Sequence, residues 1–308
     1  MVKINTSTYN ILRNAKDPCS AEKDYLECAI LQELFNSNYI GDNFVFAGGG
    51  SLSKAYKLSN RICQDIDLVC QTFDDIPDDH SRKQLEKFKK GFKHNVFTEL
   101  KQKIGEIINK NQQFLIMTDH DWGQLKNIEQ FMSSPTLHLM YKSEFSPNLG
   151  HLCIEVIPRK YPDASLEYKT ISPYALECPI DGVRTVRYEQ TFWDKVYALH
   201  SNSVAERPHF SQFFSRHYYD TAKLSRYVNL GATQQMLRDI ERHQAKYTMK
   251  RIEPLPTLGD VQLLPDDETL TKLGTDYNQM TDRFMGIREE WQTIVRDLQN
   301  LKTQLKTL

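Results

Sequence analysis

Asn43-Phe-Val-Phe-Ala47-Gly-Gly-Gly-Ser51 and Asp65-Ile-Asp-Leu-Val-Cys70 are the two stretches that decide the predicted fold of this 308-residue chain. The first is a short apolar run that ends in three glycines, which predicts a buried strand, a tight turn and a helix over residues 51–59. The second alternates aspartate with apolar residues and predicts a strand that presents Asp65 and Asp67 on one face. Together they indicate an α/β unit.

The remaining pattern completes a two-domain organisation. Helices are predicted over 20–36 (capped by Ser20), 82–110, 189–203, 211–228, 232–248 and 276–306; strands over 136–142 and 151–157; a loop over 74–81; and a Pro-rich connector over 252–268. The Ser-Pro-Asn-Leu-Gly link between the last two strands favours antiparallel pairing. We expect an α/β (α+β) domain over residues 1–180, a mixed sheet with flanking helices, followed by a helical domain over 181–308.

Composition bounds the class of protein. Hydrophobic residues make up 40% and charged residues 26% of the chain, with a net charge of −1, as in ordinary globular proteins. No apolar stretch approaches the roughly 20 residues that span a bilayer, and the first residues lack a secretory signal, so a cytoplasmic location is expected. The six cysteines form no Cys-x-x-Cys pair, which gives little support to a zinc site or a disulfide and favours reduced thiols.

The paired aspartates carry the strongest chemical signal. Two carboxylates held side by side repel each other unless a cation lies between them. Hard oxygen ligands on a rigid strand suit Mg²⁺, or Mn²⁺, bound together with triphosphate oxygens. An Asp-x-Asp pair without further signals usually lies on a solvent-facing edge strand. The glycine turn and Ser-led helix just upstream of Asp65 and Asp67 favour the metal site here.

The glycine turn predicts a phosphate contact. Gly49 and Gly50 allow a ligand to approach the main chain, and Ser51 begins a helix whose free N–H groups favour an anion. Lys54, one turn further on, is predicted to add a positive charge. The alternative is a tight strand-to-helix connection without a ligand.

Three further polar residues interrupt apolar patterns. Glu155 lies within a strand and either binds metal, deprotonates an acceptor, or lies on an exposed face beside His151. Lys195 and Asp220 lie on the apolar sides of their helices. Helical spacing alone favours a Lys195 side chain that extends to solvent and an ion pair between Arg216 and Asp220 within one helix.

Two basic clusters are candidate surfaces for a phosphate backbone, or solvated helix faces. The first is Arg82, Lys83, Lys87, Lys89, Lys90, Lys93, His94, Lys101 and Lys103; the second is Arg238, Arg242, His243, Lys246, Lys250 and Arg251.

Four motifs in order give a family resemblance. They are Glu22-Lys-Asp-Tyr25, Phe46-Ala-Gly-Gly-Gly-Ser-Leu-Ser-Lys-Ala-Tyr56 with Gln64-Asp-Ile-Asp-Leu68, Phe192-Trp-Asp-Lys-Val-Tyr-Ala-Leu199, and Arg216-His-Tyr-Tyr-Asp220. In patches over residues 22–224, the chain resembles the AbiEii/AbiGii toxin family of nucleotidyltransferases, the toxins of bacterial toxin–antitoxin and abortive-infection systems.

The resemblance implies a polymerase-β-like nucleotidyltransferase domain, a helical domain that completes the active-site cleft, an NTP substrate and a cognate antitoxin. It also implies that Lys195 holds the triphosphate and that Asp220 activates or orients the acceptor, against the reading from spacing alone. The acceptor it implies is RNA, in particular the tRNA 3′ end. The alternatives are nucleotidylation or phosphorylation of a protein, and a module that binds nucleotide or RNA without chemistry.

Overall fold

The computed structural model describes residues 4–63, 65–126, 134–205, 210–247 and 255–308. The chain divides into two compact units. The first consists of Met1–Lys57 and Ile62–Val186, and the second of Leu58–Arg61 and Arg187–Leu308. A four-residue segment thus belongs to the second unit although the first unit surrounds it in sequence.

In the first unit, the described residues form a mixed seven-stranded sheet. The strands are β1 (Phe44–Ala47), β2 (Asp65–Cys70), β3 (Phe114–Thr118), β4 (Thr136–Lys142), β5 (Leu149–Pro158), β6 (Leu166–Ile171) and β7 (Ile180–Val186). Their order is β3-β4-β5-β2-β1-β7-β6. The β2–β5 and β1–β7 pairs are parallel and the other pairs are antiparallel. The predicted antiparallel pairing of β4 with β5 is confirmed.

Helices flank this sheet. They are α1 (Thr6–Arg13), α2 (Pro18–Phe35), α3 (Asn38–Asn43), α4 (Gly48–Lys54), α5 (Arg82–Asn95), α6 (Lys101–Ile108) and α7 (Asp119–Lys126). The main core joins α2 and α6 to one sheet face, where apolar residues of β2 and β5 such as Ile66 and Ile154 are buried. The alternation of β2 therefore directs its aspartates away from this core.

Two local predictions in this unit have different outcomes. The predicted cap Ser20 lies inside α2: the helix begins at Pro18, and the Asp17 carboxylate accepts the N–H groups of Cys19 and Ser20. Proline is well suited to the first helical position because its missing N–H has no partner there. The basic segment 82–110 is helical as predicted, with a π-helical turn at Val96–Leu100 between α5 and α6.

The second unit is helical, as predicted. Its helices are α8 (Tyr188–Ser203), α9 (Ser215–Leu224), α10 (Leu230–Thr233), α11 (Gln235–Tyr247), α12 (Asp267–Asn278) and α13 (Trp291–Leu305). The prediction of one helix over 276–306 is wrong. The chain turns back between α12 and α13, where the Tyr277 hydroxyl donates to Glu289 O at 2.9 Å and Arg288 donates to Tyr277 O at 3.1 Å.

The observed class is therefore the predicted one, a mixed sheet with flanking helices followed by a helical unit. Sequence patterns did not predict β3, β6, β7, α1, α3 or α7, and the helix predicted over 51–59 is observed as α4, which begins at Gly48 and ends at Lys54. Parts of the segments predicted over 232–248 and 252–268 lie outside the described residues. Within the described ranges, no helix combines the length and apolar character needed to cross a membrane.

Candidate active site

The glycine turn after β1 lies directly against Asp67. Ala47, the last residue of β1, is the register partner of Asp67 on β2. Gly48 follows with φ of +68°, a conformation that side chains disfavour. A Cβ atom at position 48 would lie 1.6 Å from Asp67 Oδ2. The glycine is therefore required both by its backbone conformation and by the carboxylate beside it.

Glu155 lies beside Asp67 on the same face of the sheet. The two residues are register partners on the parallel strands β2 and β5. Asp65 lies two residues before Asp67 and so shares this face, while Ile66 and Ile154 are buried on the other. Asp65 is exposed, and Asp67 and Glu155 are half-buried. Of the alternatives left open by the sequence, this arrangement favours a Glu155 that acts together with the aspartates.

Three neighbouring carboxylates raise the local negative charge, which a divalent cation would offset. Carboxylate oxygens are the ligands that Mg²⁺ prefers, and a strand holds them rigidly. The absence of a side chain at Gly48 leaves the Asp67 carboxylate in place at the turn. The donor set therefore fits a hard divalent cation.

The rest of the glycine turn offers its backbone to a ligand. Ser51 is buried, and its hydroxyl donates to Gly48 O at 2.8 Å. This hydrogen bond uses the Ser51 hydroxyl within the turn. Gly49 is half-buried, and Gly50 is buried against the Phe46 ring. N–H groups in the first turn of a helix have no acceptor inside the helix, so the main chain of Gly49 and Gly50 is the part suited to phosphate.

Lys54 has partners other than the predicted phosphate. Its side chain is buried, and its ammonium group forms ion pairs with Asp24 and Glu27 of α2, the latter at 2.8 Å. Burial, opposed by the charge of Lys54, raises the pKa of Glu27 to about 7. Because the ammonium group is enclosed by carboxylates in the core, the predicted triphosphate contact is corrected: Lys54 joins α4 to α2.

In the second unit, Lys195 and Asp220 form a buried ion pair. Lys195 Nζ lies 2.9 Å from Asp220 Oδ2, and Arg61 Nη2 lies 2.9 Å from the same oxygen. Burial alone would raise the pKa of Asp220, but the charges of Arg61 and Lys195 outweigh it and hold that pKa well below its usual range. Asp220 therefore stays ionised at neutral pH and fixes the Lys195 ammonium group.

This arrangement corrects two expectations about Asp220. In place of the predicted Arg216–Asp220 ion pair, Asp220 pairs with Arg61 and Lys195. Arg216 donates to Phe213 O at 3.2 Å. A fully buried, paired Asp220 is also a poor base for an acceptor hydroxyl. We assign it the role of positioning Lys195.

Arg61 was missed by the sequence patterns. It lies in the segment Leu58–Arg61 that belongs to the helical unit. An isolated bridge pairs Arg61 with Phe284, and Met285 N donates to Asn60 O at 2.9 Å. Helical or strand periodicity carries no signal for such a segment, because its partners are more than 150 residues away in sequence.

Ion pairs neutralise part of the positive charge of the two basic clusters. In the first, Arg82, Lys93, Lys101 and Lys103 each pair with an acidic residue. Lys83, Lys87, Lys89 and Lys90 are exposed on α5. In the second, Arg238 and Arg242 pair with Glu241 and Asp239, and Lys250 and Arg251 lie outside the described residues. The α5 lysines are thus the stronger candidate for a phosphate surface.

Comparison with known proteins places this site in a family. Residues 29–297 match the family described as "Nucleotidyl transferase AbiEii toxin, Type IV TA system". No protein with a curated description matches the chain significantly. Several solved structures are similar to it, among them two from Helicobacter pylori. JHP933 from Helicobacter pylori has 14% sequence identity and a TM-score of 0.48, with 94% of this chain and 92% of that chain covered.

The second structure, a candidate nucleotidyltransferase from H. pylori, has 14% identity and a TM-score of 0.46, with 91% of each chain covered. The family match, by contrast, spans most of the chain and includes Asp65, Asp67, Glu155, Lys195 and Asp220. The chain therefore belongs to the AbiEii family of toxin nucleotidyltransferases of type IV toxin–antitoxin systems.

Proposed function

We propose that the chain transfers a nucleotide from an NTP to the 3′ end of an RNA, tRNA in particular, and that it requires Mg²⁺ or Mn²⁺. It acts in this proposal as the toxin of a toxin–antitoxin pair in the cytoplasm, opposed by a cognate antitoxin. The observation that carries the proposal is the position of Asp67, with Gly48 of the turn on one side and Glu155 on the other.

Asp65 and Asp67 are the residues that would hold the cation, with Glu155 beside them. When bound, the cation neutralises charge on the triphosphate oxygens and makes the α-phosphate a better electrophile. The carboxylates are placed on adjacent strands of one sheet, so they need no rearrangement to act together. This pre-positioning supports a catalytic role over simple nucleotide binding.

The protein groups then have separate tasks. Backbone N–H groups of Gly49 and Gly50 bind triphosphate oxygens. Lys195, held by Asp220, is the residue to which the family resemblance gives the task of binding the triphosphate. Glu155 accepts the proton of the acceptor hydroxyl, and the oxygen of that hydroxyl attacks the α-phosphorus. The bond from that phosphorus to the bridging oxygen breaks, and pyrophosphate leaves.

The exposed lysines of α5 support an RNA acceptor. Lys83, Lys87 and Lys90 are spaced four and three residues apart, so they lie on one side of the helix. The opposite side of α5 is anchored by the buried Leu85. A row of cations on a rigid helix suits a phosphate backbone, and its contribution to affinity falls as salt rises.

The test is label transfer from each of the four NTPs, separately, to total tRNA in the presence of Mg²⁺. We expect one or more NTPs to label the RNA, and the Asp65→Ala/Asp67→Ala variant to give none. Intact-mass analysis of added proteins, including the antitoxin, distinguishes a protein acceptor. Unlabelled RNA with wild-type protein, or equal labelling by the double variant, would rule out the proposal.

A further inference from the structure

A second group of metal-binding side chains lies on the sheet face that carries the acidic residues. It consists of His138 on β4 with His151 and Cys153 on β5, three residues that the proposed transfer reaction does not use. His138 Nδ1 lies 3.0 Å from His151 Nε2. Cys153 Sγ lies 3.6 Å from the former nitrogen and 3.5 Å from the latter. The three potential ligand atoms therefore form a small triangle.

The triangle has the size of one face of a tetrahedral zinc site. Zinc–nitrogen and zinc–sulfur bonds of about 2.05 and 2.3 Å place two nitrogens about 3.3 Å apart and nitrogen and sulfur about 3.6 Å apart. Both sulfur–nitrogen distances agree with this. The ring centroids of His138 and His151 are 5.2 Å apart, and zinc-bound imidazoles at a tetrahedral angle have centroids about 5.2 Å apart. The facing nitrogens lie on the line between the centroids, so each ring must turn by roughly 35° in its plane to direct its nitrogen at one ion.

The surroundings of His138 are those of a metal ligand. Its other nitrogen, Nε2, lies 3.3 Å from Asp119 Oδ1, and both residues are buried. A proton on Nε2, donated to this carboxylate, leaves Nδ1 with the lone pair that a cation needs. Asp119 is itself held by Lys93 at 3.5 Å and by the Thr136 N–H at 3.4 Å. The carboxylate thus fixes the ring orientation.

Trp122 of α7 covers the two imidazoles. Its ring stacks on His138 and His151 with centroid distances of 4.9 and 4.1 Å and interplanar angles of 8° and 9°. The stack keeps both imidazole rings in nearly one plane, with their facing nitrogens beside Cys153. His151 and Cys153 are only half-buried, which leaves room for a fourth, non-protein ligand.

We propose that His138, His151 and Cys153 bind a zinc ion, with Asp119 orienting His138 and a water or other small ligand completing the coordination. Two imidazoles and a thiolate suit a borderline-soft cation and not Mg²⁺, which prefers oxygen ligands. Binding displaces the thiol proton of Cys153, so one proton is released per ion. Cys153 is the register partner of Asp65 and contacts its side chain, so the zinc site adjoins the proposed Mg²⁺ ligands, although none of its three residues holds the substrate in the proposed function.

The test uses the full chain, stripped of metal and titrated with Zn²⁺ and separately with Co²⁺ as a spectroscopic probe. We expect about one Zn²⁺ per chain, unaffected by excess Mg²⁺, and a thiolate-to-cobalt absorption band with Co²⁺. Cys153→Ser should abolish the band, whereas Cys19→Ser, at an exposed cysteine outside the group, should retain it. Asp119→Asn should weaken Zn²⁺ binding about 10- to 100-fold; His120→Ala, at its exposed neighbour, should not.

Two measurements keep the test decisive. Circular dichroism shows whether each variant folds, and alkylation of the unaltered chain needs no variant: Zn²⁺ should slow labelling of Cys153 but not of Cys19. Asp67→Asn should leave Zn²⁺ binding unchanged, because Cys153 pairs with Asp65 and Asp67 pairs with Glu155. No bound Zn²⁺ at micromolar concentration, a cobalt band that persists in folded Cys153→Ser, or unprotected Cys153 would overturn the proposal.

Discussion

Gly48 and Asp67 lie so close together that a Cβ atom at position 48 would stand 1.6 Å from Asp67 Oδ2 and 2.5 Å from Asp67 Cγ. The turn after β1 therefore packs directly against the Asp67 carboxylate on β2, with no space for a side chain at position 48. Any side chain at position 48 must displace the carboxylate, the turn or both. The position of the proposed cation ligand thus depends on a glycine that has no chemistry of its own.

Gly48→Ala should reduce nucleotide transfer by about 100-fold or more, since displacements near 1 Å in an active site have effects of that size. Gly182→Ala is the matched control. Gly182 has φ of +78°, but a Cβ atom there meets nothing within 4 Å. Both variants should lose about 1–2 kcal/mol of stability from the positive φ. Equal activity of the two folded variants would contradict the role given to the Gly48–Asp67 contact.

Asp220→Ala should destabilise the helical unit by about 3–5 kcal/mol, because it leaves the buried charges of Arg61 and Lys195 without a counter-ion. Urea unfolding followed by tryptophan fluorescence measures this destabilisation. Asp239→Ala removes a more exposed ion pair with Arg242 and should have an effect of about 0–1 kcal/mol. A similar, small effect of both substitutions would show that the Asp220 ion pairs do not organise this unit.

Glu27→Gln should flatten the pH dependence of stability. The folded-state pKa of Glu27, about 7, lies above its ordinary value of 4.5, chiefly because of burial. The folded state therefore binds more protons than the unfolded state between these values, and stability falls as pH rises from about 4.5 through 7. The fall contributed by this residue is at most about 3 kcal/mol.

Chemical unfolding of the wild type and of Glu27→Gln at pH 5 and pH 8 checks this prediction. Substitution should stabilise the protein more at pH 8 than at pH 5. Glu177→Gln, at an exposed glutamate, should leave the pH dependence as it is in the wild type. A Glu27→Gln variant that loses more stability at pH 8 than at pH 5 would reverse the sign and refute the assignment.

Charge reversal on α5 tests the RNA surface. Lys83→Glu, Lys87→Glu and Lys90→Glu together should raise KM for RNA and leave the KM for NTP unchanged. The slope of log affinity against log salt should fall by about one for each RNA phosphate that the variant no longer neutralises. Lys103→Glu, in the same segment but paired with Glu106, is the control. Unchanged affinity and salt slope in the triple variant would exclude α5 as the RNA surface.

The sequence was most informative where the pattern was local. β2 was predicted to its observed ends, because the alternation of aspartate with apolar residues is the signature of a strand with one buried face. β3 was missed, since Phe114–Thr118 has no such alternation. β6 and β7 were missed too, although they complete one end of the sheet.

The candidate site was harder to predict where it depends on long-range contacts. Helical spacing placed Lys54 one turn into a helix predicted over 51–59, whereas Lys54 is the last residue of α4, and it held no information about Asp24 and Glu27, which belong to α2. Arg61 likewise pairs with a residue more than 150 positions away. The His-x-Cys spacing at 151 and 153, on a strand predicted to pair with that of His138, was a usable signal. Its meaning required the register of β4 and β5.

The central claim is that the carboxylate of Asp67, set between the glycine turn and Glu155, carries nucleotide transfer. Its most direct test is the single-turnover rate of label transfer to RNA by Asp67→Asn, compared with Asp181→Asn, which changes an exposed aspartate of β7 in the same way. We expect Asp67→Asn to lower the rate at least about 100-fold, and Asp181→Asn to retain it. A folded Asp67→Asn protein that keeps the wild-type rate would contradict the account.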